Sequence, residues 1–216
     1  MSFKLKMLAG LAALGIAGGG AALAMPHAQA MTQHCDFYCA TMSTQAFGDK
    51  AVISAGSSIV LSAPGFNPNE DFIGHALGTA ANLAQIHHVP ASEAAIYADE
   101  VVYEFGFAPH GVLPTQCLGA SGSAIVLQAC GLPTTLWIEV HRDAHGFFSP
   151  FVNVGASASS IKVLTATSAS GPLSLSPMSI SGGVVSPTQM WESEIGIYGT
   201  AIPWPVPGGQ PPFLER

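Results

Sequence analysis

Positive charge is scarce in this chain, which has six Lys and Arg against thirteen Asp and Glu in 216 residues. From position 31 onward only Lys50, Arg142, Lys162 and Arg216 are basic, giving that stretch a formal charge of -9. Such a surface repels a phosphate backbone, so nucleic acid is excluded as a partner class. After Met25 no apolar run approaches the length of a transmembrane helix. Familiar catalytic signatures are missing as well. There is no H-E-x-x-H, and Gly119-Ala120-Ser121-Gly122-Ser123 has Ser where a G-x-S-x-G elbow needs its second Gly. With charged residues at only 9%, Ser, Thr, Asn and Gln must supply most of the polar surface.

What is present begins with a leader. Lys4 and Lys6 precede a run of small apolar residues from Met7 to Met25, and Ala28-Gln29-Ala30 closes it. That order is the signature of a secretory signal peptide, here residues 1–30, cleaved after Ala30. The product is expected to be secreted and extracellular, with no membrane attachment after cleavage. Residues 31–45 then form an N-terminal segment ahead of one well-buried domain.

Four cysteines in an exported chain are expected to be bridged. Cys117 and Cys130 bracket an apolar hairpin, which predicts a disulfide between them. Cys35 and Cys39 lie four apart and are expected to close a small loop. His34 beside that pair does not complete a metal site, because no fourth ligand accompanies it. No metal and no cofactor are assigned.

The chain repeats itself. VISAGSSIVLSAPG at 52–65 returns as LGASGSAIVLQACG at 118–131 with seven of fourteen positions identical, and a looser copy, VGASASSIKVLTAT, occupies 154–167. Each copy reads as a glycine or serine turn between apolar strands: Ser54 to Leu61, Ala120 to Leu127, Ser157 to Leu164. Each unit is expected to end on an aromatic strand, Val102 to Phe105, Leu136 to Glu139 and Met190 to Ser193. Tyr103, Trp137 and Trp191 would then fill a shared core. Three such units predict an all-β fold with internal threefold pseudosymmetry.

The second unit runs Cys117-Leu118-Gly119, Val126, Leu127, Cys130, Trp137, and the third contains Gln189-Met190-Trp191. These residues resemble the repeat of the ricin B-type β-trefoil with its Q-x-W signature, over roughly residues 46–200. The resemblance implies a six-stranded barrel capped by three hairpins, in units of about 46–110, 111–148 and 149–200, and a carbohydrate-binding role. Sugar sites in that family use an early acidic residue, an aromatic platform and a polar residue after the Trp. Gly119, Ala120 and Ser121 provide no early carboxylate in the second unit. The candidate ligand-binding residues are therefore Asp49, Asn153 and His141, while Trp137 and Trp191 match positions that are core residues in the family.

Between Leu61 and Val102 the first unit carries an insertion. Asn67-Pro68-Asn69-Glu70 reads as an N-cap, a Pro at the first helical position and a reciprocal Glu. A helix is predicted from there, with Phe72, Ala76, Leu77, Ala80 and Ala84 on one apolar stripe, ending before Pro90. A second helical turn is predicted from Ser92 to Ala98. At the other end, residues 201–216 form a Pro-rich tail that cannot join a central strand and is expected to run along the surface.

Three functional readings follow. The first is a secreted, non-catalytic trefoil module that binds a glycan or cell-surface polysaccharide. The second is a structural or protein-binding trefoil, inhibitor-like, without a sugar site. The third is an enzyme using the loop of His141, Asp143 and His145, a cluster that in a loop after a strand is normally solvated. Catalysis is not expected.

Overall fold

The computed structural model describes residues 40–63, 68–109, 113–140, 148–156 and 160–195. The proposed leader, Cys35 and Cys39, the loop holding His141, Asp143 and His145, and the Pro-rich tail lie outside them.

Twelve strands fall into three quartets. The first is β1 (Ala40–Thr44), β2 (Gly48–Ala55), β3 (Ser58–Ser62) and β4 (Phe72–Thr79). The second is β5 (Val101–Phe107), β6 (Gln116–Ser121), β7 (Ala124–Ala129) and β8 (Leu136–Glu139). The third is β9 (Phe151–Asn153), β10 (Lys162–Ala166), β11 (Leu173–Pro177) and β14 (Trp191–Ile195), with a small hairpin of β12 (Ile180–Ser181) and β13 (Val184–Val185) before the last strand.

The first and fourth strands of the quartets close a barrel. β1 pairs with β14 and β4, β4 with β5, β5 with β8, and β8 with β9. Reciprocal backbone hydrogen bonds between Ser149 and Trp191, at 2.7 and 2.9 Å, complete the circuit beside β9. Closure leaves the barrel strands no free edge. The second and third strands form hairpins, β2 with β3, β6 with β7 and β10 with β11. Those hairpins meet one another. Leu61 donates its N–H to Gly171 at 3.2 Å, and Ser174 pairs with Ala124. A six-stranded barrel with three converging hairpins is a β-trefoil.

The sequence repeat has a local cause in the first two hairpins. Gly56 and Gly122 sit at the tips with φ of 67° and 63°, a conformation an L side chain disfavours. The third copy is out of register with the fold. Its small residues at 154–160 join β9 to β10, and the third hairpin turns at Thr167 to Pro172, so Leu164 corresponds to Leu118 rather than to Leu127. Glycine and serine mark a hairpin tip only where a strand follows on both sides.

Tyr103 also needs reassignment. β5 opens the second quartet instead of closing the first, and Tyr103 is only half-buried there. The third ring of the pseudosymmetric set is Phe72 on β4. A one-turn 3-10 helix starting with Pro precedes the fourth strand of every quartet: Pro68–Glu70, Pro133–Thr135 and Pro187–Gln189. Two residues after each comes the buried ring, Phe72, Trp137 or Trp191. Proline suits the first turn because the missing N–H has no partner to lose there.

The predicted helix after Pro68 is a strand. From Phe72 to Thr79 the backbone pairs with β5 through seven partners, and Gly74 and Gly78 weaken any helical alternative. Helix begins only at α1 (Ala80–Gln85), where the Thr79 hydroxyl caps the Asn82 N–H at 3.3 Å. A second short helix, α2 (Ala91–Ala94), follows Pro90.

Two apolar clusters hold these elements. The inner one joins Val52, Ile59, Phe72, Phe105, Trp137 and Trp191 inside the barrel and under the hairpins. The outer one joins Ala80, Leu83 and Ala94 of the helical insertion to Val102, Ile138 and Val152. Trp137 belongs to the first and its neighbours Leu136 and Ile138 to the second, so β8 is apolar on both faces. The insertion therefore covers the outside of the barrel wall.

One contact between units is tight enough to test. A Cβ at Gly155 would lie 2.7 Å from the Thr134 nitrogen and 2.8 Å from the Pro133 carbonyl carbon, both backbone atoms. Gly155→Ala is expected to destabilise the fold by about 1 to 3 kcal/mol, because the turn must move. An unchanged urea midpoint would show that this turn yields freely.

Candidate functional site

The Trp residues of the second and third units, Gln189 and the candidate Asn153 are engaged in internal hydrogen bonds. Trp137 and Trp191 are fully buried, and their indole nitrogens donate to the carbonyls of Leu118 and Leu164 at 2.9 and 2.8 Å. The two bonds are equivalent by the pseudosymmetry, each tying the fourth strand of a quartet to its second. Neither ring offers a face to solvent.

Gln189 of the Q-x-W stretch is buried too. Its Oε1 accepts from Ser179 N at 2.7 Å, while Nε2 donates to Ser176 Oγ and Pro177 O, both at 2.9 Å, and to Thr165 Oγ1 at 3.2 Å. An amide bonded on both sides in this way orders three chain segments. Asn153 is a structural residue by the same test. It is fully buried, its Nδ2 donates to Thr134 O at 2.9 Å and its Oδ1 accepts from Ala156 N at 3.1 Å. Those bonds account for its side chain without a ligand. Asp49 lies on β2, with its side chain outside the described residues, as is His141 altogether. Of the three candidates, only the side chain of Asn153 lies among the described residues.

A second buried polar cluster, around Glu104, was not legible in advance. Glu104 on β5 is buried, and its Oε1 accepts from both Gly131 N and Thr135 Oγ1 at 2.5 Å. The Cys117–Cys130 disulfide lies beside it. Glu104 and those two sulfurs are close enough to resemble a metal site, but bridged cysteines have no thiolate to give. The carboxylate fastens the chain just past the bridge to β5. Only the sequence Tyr-Glu-Phe, an acid between two rings, hinted at burial.

What faces outward is aliphatic. Among the described residues the exposed large apolar side chains are Ile86, Ile96, Leu113, Leu132, Ile180 and Val184, and none is aromatic. Ile180 and Val184 lie on one hairpin but on its opposite faces, since Ile180 pairs with Val185 and Val184 with Ser181. The two strands are joined by the two-residue turn Gly182-Gly183, with φ of 60° and 83°. Positive φ at both central residues matches the twist of the strands. Its base is held by Ser186 N donating to Ser179 O at 2.9 Å and by Gln189 Oε1 on Ser179 N. Ile180 is 48% and Val184 68% exposed. Gly-Gly between Ile-Ser and Val-Val is a hairpin signal that sequence reasoning passed over.

No protein-family model and no curated protein sequence matches the chain. Solved structures with a similar chain path do exist. They include the designed threefold-symmetric protein ThreeFoil, at 15% identity over 72% of this chain and 96% of that one, TM-score 0.47. Another is the ligand-binding domain of botulinum neurotoxin serotype D, in complex with N-acetylneuraminic acid, at 10% identity over 74% of this chain and 41% of that one, TM-score 0.48. A third is the SDF2-like protein of Arabidopsis thaliana, at 8% identity over 73% and 92%, TM-score 0.41. At these identities the likeness is one of chain path, and the trefoil assignment rests on the barrel and hairpin pairings themselves.

Proposed function

We propose that this chain is an exported, non-catalytic β-trefoil binding module that contacts a protein partner through the β12–β13 hairpin. The observation that carries the reading is the hairpin itself, which exposes Val184 on one face and Ile180 on the other while its base is fixed by Gln189. Val184, the more exposed of the two at 68%, is the aliphatic side chain that the hairpin offers to an apolar pocket. Trp137, Trp191, Asn153 and Gln189 are all buried and hydrogen-bonded within the fold.

Photo-crosslinking tests this. A photoreactive residue at position 184 is expected to give discrete protein adducts in the extracellular fraction of the producing cells, and one at exposed Ser170 is not. Ile180→Ser with Val184→Ser should abolish the adducts of a neighbouring probe while changing stability by less than about 0.5 kcal/mol, as for other exposed sites. Equal labelling from both positions would overturn the proposal.

The glycan reading is kept second by the Q-x-W stretch and the repeat resemblance. Asp49 and His141 are the side chains it would use.

A further inference from the structure

The insertion contains an acid in an apolar place. Glu93, on α2, is 4% exposed, and neither of its carboxylate oxygens has a hydrogen-bond partner. Burying such a group as an anion is costly. The insertion carries no Lys or Arg of its own, since none lies between Lys50 and Arg142. α2 packs on α1, whose six residues include no titratable side chain.

The titratable groups on the surrounding elements are few. Tyr97 lies one turn further on, His87 and His88 lie between the two helices, and Asp99 and Glu100 follow them. The neighbouring strands carry His75 on β4, Tyr103 and Glu104 on β5, Glu139 on β8 and Lys162 on β10. Burial pushes His75 below the ordinary histidine range, which favours its neutral form. Glu104 is bonded to Gly131 and Thr135. Burial likewise pushes the Glu93 carboxyl up to about 7.

Beneath the two helices lies the outer apolar face of the barrel, formed by Val102, Leu136, Ile138, Val140, Val152 and Val163. We propose that α1 and α2 form a pH-gated cap, closed over this face while Glu93 is neutral and loosened from it as Glu93 ionises. The inner core, which joins Phe72, Phe105, Trp137 and Trp191, is a separate cluster.

The direction follows from linkage. With the cap open the carboxyl titrates near its ordinary value of 4.5, and with the cap closed near 7. Below the lower value both states are neutral, and closure has its full stability. As pH rises between the two, only the open state sheds its proton, and closure weakens by up to about tenfold per pH unit. Above 7 both states are ionised and the loss is complete.

Amide hydrogen exchange, corrected for the intrinsic rate, reads this directly. Between pH 5 and 7 the protection of the Ala94, Ala95, Ile96 and Tyr97 amides is expected to fall at least about tenfold. The amides of Leu61 and Leu175, bonded where the hairpins meet, should hold theirs. Glu93→Gln is expected to abolish the pH dependence, and Glu93→Leu should do the same if the glutamine variant folds poorly. Protection that stays constant in the unaltered protein, or that keeps its slope in both variants, would overturn the proposal.

Discussion

Trp191→Ala is expected to destabilise the protein by about 3 to 5 kcal/mol, a large share of the stability of a domain this size. The ring is fully buried in the inner cluster, and its indole N–H satisfies the Leu164 carbonyl. Its own backbone makes the two hydrogen bonds to Ser149 that complete the barrel. Loss of the ring leaves a cavity and an unpaired carbonyl together. Trp191→Phe separates the two effects. It keeps most of the apolar volume and loses the hydrogen bond, so about 1 to 3 kcal/mol of the loss should remain. Phe72, at the equivalent place in the first quartet, shows that a ring without a donor is tolerated at such a position. Denaturant unfolding of the three proteins measures both differences, and an alanine variant as stable as the parent would refute the core assignment.

Removing the Cys117–Cys130 bridge by a paired replacement with alanine is expected to cost about 3 kcal/mol, the chain-entropy value for a loop of this length. The two cysteines are 13 residues apart, one on β6 and one just past β7. The strand pairing of β6 with β7 already holds them near each other. The bridge thus acts chiefly on the unfolded chain. Glu104 makes the site sensitive to a second change, because it clasps Gly131 and Thr135 next to the bridge. Glu104→Ala combined with the cysteine replacements should depart from additivity, since both alterations loosen the same turn. A melting temperature unmoved by reductant would contradict the role given to the bridge.

The architecture was legible because identical chemistry recurs where the fold recurs. Gly56 and Gly122 need the same left-handed tip, and the Cys117–Cys130 bridge could be read from the strands it brackets. The register of the third unit was not legible, since the serines and glycine that turn its hairpin, Ser168, Ser170 and Gly171, lie beyond the repeat copy at 154–167. Nor was Phe72, whose flanking Pro and Glu imitate a helix start. The decisive fact there is non-local: β5, about thirty residues on, takes up the backbone of β4. The candidate site suffered most. Asn153 carries a polar side chain that a sequence offers to solvent, but its amide lies in the seam between the second and third units. Glu93 and Glu104 are both buried acids, and only their surroundings distinguish the bonded one from the unbonded one. The β12–β13 hairpin was readable from Gly182-Gly183, yet nothing in its two short strands announces that Ile180 and Val184 point outward.

Trp137, Trp191, Asn153 and Gln189 are all engaged in internal hydrogen bonds. The most direct measurement is binding of purified residues 31–216 to a panel of glycans and cell-wall polysaccharides, alongside the Ile180→Ser, Val184→Ser variant. The prediction is no saturable binding by either protein. Saturable, disulfide-dependent binding that survives the hairpin substitutions would contradict it and assign the module to sugar recognition.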